Sequence, residues 1–135
     1  MRAILSDICN EAQVRSILGI LNGPFWQDLW NTLTLQYLTL SNLGLAPDTP
    51  DSVIWHLCQT ELLVLITANR NNAGSDSLEA TIRAHNTATS LPVFTLADEQ
   101  AILHSRSYAE RVAEQLLDYL LDIDHCRGTG RLYLP

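Results

Sequence analysis

Four oxygen-bearing side chains stand where an α/β protein delivers its chemistry. Asp7 closes the apolar run AILS, Asp51 follows Thr49-Pro50 at the start of a helical stretch, and Asn69 and Asn71 follow the run ELLVLIT together with Thr67. A magnesium or manganese ion needs several oxygen ligands, including at least two carboxylates, converging from separate segments. Asp7 and Asp51 meet that minimum. Each also has a plain structural role: Asp7 can cap the helix that begins near Asn10, and Asp51 in a first helical turn is favoured by the helix dipole. Asp98 follows a later apolar run and is expected to open the last long helix. Asp76 and Glu79, three apart before LEATIR, have the spacing of a capping box.

Other chemistries find less support in the sequence. Cys9, Cys58 and Cys126 are an odd number without a C-x-x-C pair, so they signal neither a disulfide framework nor a zinc site. His56, His85, His104 and His125 match no metal-ligand spacing and are expected in surface or packing roles. A nucleophile elbow needs Gly-x-Ser-x-Gly, and GSDS at 74 to 77 lacks its second glycine. DICNEA stands where a dinucleotide-binding glycine loop would follow the first strand. A receiver domain needs a lysine near its last strand, and the chain contains none.

The elements that must position these residues are legible from periodicity. AILSD reads as a strand, and NEAQVRSILGIL as a helix with Val14, Ile17, Leu18 and Leu21 on one face. FWQDLWNTL reads as a short helix carrying Trp26 and Trp30, whose side chains suit either the core or the centre of a subunit contact. TLQYLTL alternates as a half-buried strand. Pro50 suits the first position of a helix capped by Thr49, with Ile54, Leu57 and Cys58 inward. ELLVLIT and LPVFTLA are unbroken apolar runs, as expected of strands covered on both faces. DEQAILHSRSYAERVAEQLLDYLLDI reads as one long helix with Tyr108, Val112, Leu116 and Leu120 on a stripe, and RGTGRLYLP as a turn into an edge strand.

Strand and helix alternation predicts right-handed βαβ units in a three-layer α/β/α domain with an open, mostly parallel sheet of four to five strands. The strands at 3 to 6 and 62 to 67 should be adjacent and parallel, with the 35 to 40 strand on the other side of the first. The 135 residues are 47% apolar and 17% charged, which predicts one domain with a buried core. No apolar run approaches the roughly 20 residues that span a bilayer, so a cytoplasmic protein without membrane contact is expected. The net charge is −7, from 15 acids against 8 bases that are all arginine, and no basic face for a nucleic-acid backbone is evident. Arg70 and Arg83 flank the asparagine loop and are expected at the surface, within reach of a phosphate.

An acid closing the first strand (ILSDICN), a glycine-bearing loop into an acid that opens a helix (LGLAPDTPDSVIW), and a strand ending VLITANRNN resemble the PIN-like domains of bacteria, in particular a short subgroup of uncharacterised function. The likeness covers about residues 2 to 97. In that family the third strand ends Thr-x-Asp-x-Asp, and the acids hold magnesium or manganese to cleave single-stranded RNA. The resemblance implies Asp7 and Asp51 as metal ligands, with Asn69 and Asn71 where further acids are expected. Asparagine keeps an acceptor oxygen and loses the charge, so metal binding should be weakened and the acidic site partly degenerate unless Asp76 and Glu79 compensate. The alternative is a catalytically inactive PIN-like module that binds a protein partner or forms a homodimer.

Overall fold

The computed structural model describes residues 1–70 and 74–135. Its first strand, Ala3–Ser6 (β1), shows the rule that governs the sheet: Ile4 enters one hydrophobic core, and Ala3 and Leu5 enter another on the opposite face. Successive side chains of a strand point to opposite faces, so a strand buried on both sides must be apolar at most positions and give any polar side chain a partner. The same division recurs in Leu63–Thr67 (β3), where Val64 and Ile66 face the first core and Leu63 and Leu65 the second. In Val93–Leu96 (β4), Phe94 and Leu96 face the first core and Val93 the second.

Gln36–Leu38 (β2) and Arg131–Leu134 (β5) complete a five-stranded sheet among the described residues, in the order β2-β1-β3-β4-β5 with every adjacent pair parallel. β1 therefore lies between β2 and β3, as expected from short right-handed crossovers and the family likeness. β2 is shorter than TLQYLTL suggests, because Leu40 begins a 3₁₀ turn at Ser41–Leu43.

Helices cover both faces. Glu11–Leu21 (α1) and Gln27–Thr32 (α2) lie on the first face, while Asp51–Glu61 (α3) and Leu78–His85 (α4) lie on the second. Glu99–His104 (α5) and Arg106–Leu121 (α6) return to the first face, and Ile123–Cys126 (α7) leads towards β5. The result is a three-layer α/β/α fold. Among the described residues no helix is long and apolar enough to cross a membrane.

Three local expectations are corrected. The stretch from 98 to 123 is not one helix: the chain turns at Ser105, which is extended (φ −133°, ψ 110°) and caps α6 by accepting from the Tyr108 N–H at 3.2 Å, and it breaks again at Asp122. Thr49 does not cap α3. Pro50 occupies the cap position and Asp51 is the first helical residue, while the Thr49 hydroxyl donates to the Ala46 carbonyl. Asp76 and Glu79 do not form a capping box, because Ser77 is the cap of α4 and accepts from the Ala80 N–H.

The connections also depart from the uniform right-handed rule. The chain steps in the same direction along the sheet from β3 to β4 and from β4 to β5, but α4 lies on the second face and α5 and α6 on the first. The last crossover thus has the opposite hand to the one before it, whereas the first three share one hand. The preference arises from a twisted strand feeding a single helix that packs straight back. Here α5, α6 and α7 intervene, and Gly128 (φ 87°) and Gly130 (φ 81°) turn the chain into β5 in a conformation that disfavours other residues. A Cβ at Gly128 would also approach the Ala88 backbone to 3.1 Å.

Trp30 is buried in the first core and Trp26 packs half-buried against it, so this pair is largely structural; the neighbouring Phe25 is 83% exposed. Leu116, on the inward stripe of α6, is fully buried. Leu116→Ala should cost about 2–5 kcal/mol through lost burial and an unfilled cavity, read as a lower urea midpoint, whereas exposed Glu114→Ala should change stability by less than about 0.5 kcal/mol.

Burial among the α3 core residues pushes the Cys58 thiol up from its ordinary 9.0 to about 12. The unfolded chain releases this proton first, so the folded state keeps its full advantage below pH 9 and loses it as pH rises towards about 12. Chemical denaturation across this range should show a shallower alkaline loss of stability in Cys58→Ala than in the wild type.

Candidate functional site

In an open parallel sheet, a crevice forms at the carboxyl ends of two neighbouring strands whose connections leave in opposite directions. That point lies between β1 and β3, since β1 leads to β2 on one side and β3 leads to β4 on the other. Asp7 follows β1, Asn69 follows β3, and Asp51 opens α3; all three line one cleft of about 400 Å³.

A hydrogen-bond relay joins them. The Thr67 hydroxyl donates to Asp7 Oδ2 at 2.6 Å, and the same hydroxyl oxygen accepts from the Asn69 N–H at 2.9 Å. Asn69 Nδ2 then donates to Asp51 Oδ2 at 2.9 Å. Thr67 is 1% exposed, so its hydroxyl needs these partners, whereas Asp7 and Asp51 remain partly open to solvent. Asp7 stands at the cap position of the 3₁₀ turn Ile8–Asn10 but makes no side-chain cap bond there; its carboxylate turns to Thr67 instead.

Asn10 and Glu99 are site residues that the sequence reading passed over. Asn10 is 1% exposed, accepts from the Ala68 N–H at 2.9 Å and donates to Glu99 Oε2 at 2.6 Å. It thereby fixes the backbone leaving β3 to the start of α5. Glu99 lines the cleft, whereas its neighbour Asp98 is exposed and caps α5 by accepting from the Ala101 N–H. The sequence signal was an acid pair after the fourth strand, and only packing distinguishes the capping acid from the one beside the cleft.

The remaining polar candidates are placed elsewhere. Glu79 receives both Nε and Nη2 of Arg131 at 3.1 and 3.0 Å and pairs with Arg83 at 3.4 Å. Arg131 has a side chain only 8% exposed, and its Nη1 also donates to the Asn69 carbonyl and to Thr95 Oγ1. This buried cation braces the segment that carries Asn69 from beneath. Asp76 accepts from the Ser52 hydroxyl at 3.4 Å and borders an adjoining depression with Asp51 rather than the cleft with Asp7. Arg70 and Arg83 are exposed. Asn71 lies outside the described residues.

As arranged, these groups form a polar notch with three carboxylates on its walls. The described residues contain no group of three His, Cys, Asp or Glu side chains set to hold a metal ion, and Asn69 turns its amide nitrogen, not its oxygen, to Asp51. A resident magnesium or manganese ion wants converging oxygens.

The fold and site define an open-sheet α/β domain with its crevice at the topological switch point. Comparisons with protein-family models, with curated proteins and with solved structures return no match to this chain.

Replacing Asn10 tests the scaffold of the cleft. Asn10→Leu leaves the Ala68 N–H and the Glu99 carboxylate without this partner and should cost about 1–3 kcal/mol. Asn10→Asp places a second carboxylate against Glu99, so one of the two binds its proton more tightly folded than unfolded. The resulting defect should be present at neutral pH and shrink as pH falls to about 4, measured by urea unfolding at each pH.

Proposed function

We propose that this protein is a PIN-like domain, acting in the cytoplasm, whose cleft descends from a divalent-metal ribonuclease site and has been converted to neutral hydrogen bonding. In this reading it holds Mg²⁺ or Mn²⁺ weakly and does not cleave generic single-stranded RNA at millimolar magnesium. The observation that carries the proposal is the relay in the cleft. Asp7 accepts from a neutral hydroxyl and Asp51 from a neutral amide, so each of the two carboxylates has a neutral donor where a cation would otherwise bind. Asparagine also cannot act as a carboxylate base towards an attacking water. A net charge of −7 without lysine further disfavours an RNA backbone.

A second reading, a protein-interaction module that forms a homodimer, is favoured by the exposed apolar side chains beside α2. Phe25 is 83% exposed and Leu29 47%, and Phe25 meets Trp26 edge to face at the rim of a groove on the first face. Exposed aromatics of this kind concentrate at the centres of subunit contacts. Loss of cleavage and gain of a binding role are compatible, and sedimentation of wild type and Phe25→Ala reports on the second.

The decisive experiment is calorimetric manganese titration with a ribonuclease assay on the wild type and on Asn69→Asp/Asn71→Asp. Asn69→Asp returns a charge beside Asp51, and Asn71→Asp returns the second acid that the family pattern implies, so the double variant should bind Mn²⁺ at least about tenfold more tightly. The wild type should show neither strong binding nor cleavage. Robust metal-dependent cleavage by the wild type, abolished in Asp7→Asn, would overturn the proposal.

A further inference from the structure

Outside the cleft lining, two histidines distant in sequence meet at the surface. His56 on α3 and His85, the last residue of α4, are both exposed, with ring centroids 4.7 Å apart and planes at 68°. They sit over Trp55, which is 2% exposed and lies 5.0 Å from the His56 ring and 6.5 Å from the His85 ring. The indole is a buried floor beneath both rings, and the packing of α3 on α4 keeps the two side chains neighbours.

From this juxtaposition we propose that His56 and His85 form a surface binding site for a borderline transition-metal cation, Zn²⁺, Ni²⁺ or Cu²⁺. Neutral imidazole is a preferred ligand of these ions and a poor one for Mg²⁺. Two imidazoles that share an ion at about 2.0–2.1 Å per bond have ring centres roughly 5 Å apart, which matches the separation seen here. Both rings are exposed, so each can rotate to aim a nitrogen at a common point without disturbing the core. The carboxyl end of α4 supplies the favourable end of a helix dipole for a cation. Arg83, the nearby cation on the same turn, is drawn to Glu79. Two protein ligands leave coordination positions for water or for a donor brought by another molecule, so the site is open rather than closed and structural. This inference is independent of the reading of the Asp7 cleft.

The test is titration of the full chain with ZnCl₂, NiCl₂ or CuSO₄, followed by calorimetry and by Cu²⁺ broadening of histidine ring resonances. A Cys9→Ser background removes the exposed thiol, Cys58 and Cys126 being buried. One ion per chain should bind, His56 and His85 resonances should broaden first, and His56→Ala or His85→Ala should each weaken binding at least about tenfold. His104→Ala and His125→Ala should leave it unchanged. Because both target side chains are exposed, the variants should retain their circular dichroism and metal-free melting temperature; His56→Gln and His85→Gln serve if an alanine variant does not. Absence of binding by the unmodified site, or binding indifferent to both histidines in folded variants, would overturn the proposal and leave the pair as aromatic packing over Trp55.

Discussion

A parallel sheet covered by helices on both faces leaves its strands nowhere to carry polar chemistry except their ends. Ile4, Val64, Ile66, Phe94 and Leu96 fill one core, and Ala3, Leu5, Leu63, Leu65 and Val93 fill the other. Any polar side chain between them would need a buried partner. Those that do occur obey this: the Ser6 hydroxyl pairs with the Tyr37 hydroxyl at 2.8 Å, and Thr67 and Thr95 sit in the relay and under Arg131. The location of the cleft at the carboxyl ends of β1 and β3 is thus a consequence of how the sheet is buried.

What that cleft can do depends on how its charges are balanced. Asp7 and Asp51 are joined through Thr67 and Asn69, and Glu99 is held by Asn10, so each carboxylate has a neutral donor. A cation does appear nearby, but as protein: Arg131 inserts a guanidinium beneath the Asn69 segment and spends its charge on Glu79. Removing Glu79 would leave the buried Arg131 guanidinium without its counter-charge. Glu79 is therefore tied to the architecture of the second face.

The last crossover has a structural effect on the same region. By placing α5 and α6 on the first face, it brings Glu99 towards Asn10 and α1, and by adding β5 beside β4 it brings Arg131 across Thr95 towards Asn69. A shorter connection of the usual hand would have put those helices on the second face, against α4, and away from Asn10.

The pairing of β1 with β2 and β3 was expected from short right-handed crossovers together with the likeness to PIN-like domains, whereas periodicity, charge and turn residues in the sequence alone were enough to determine the α/β class and the placement of Asp7, Asp51 and Asn69 after strands or at a helix start. These are local properties: alternation of two marks a buried strand, a spacing of three and four marks a helical face, and strand ends follow from both. Tertiary structure alone decided which acid of Asp98-Glu99 caps a helix and which lines the cleft, that Glu79 belongs to Arg131, that Ser105 breaks the long helical stretch, and that His56 and His85 meet over Trp55. Each of these depends on contacts between residues far apart in the chain or on competition between neighbouring side chains for one cap. Burial on a particular face settles such competition, and no short-range pattern encodes it.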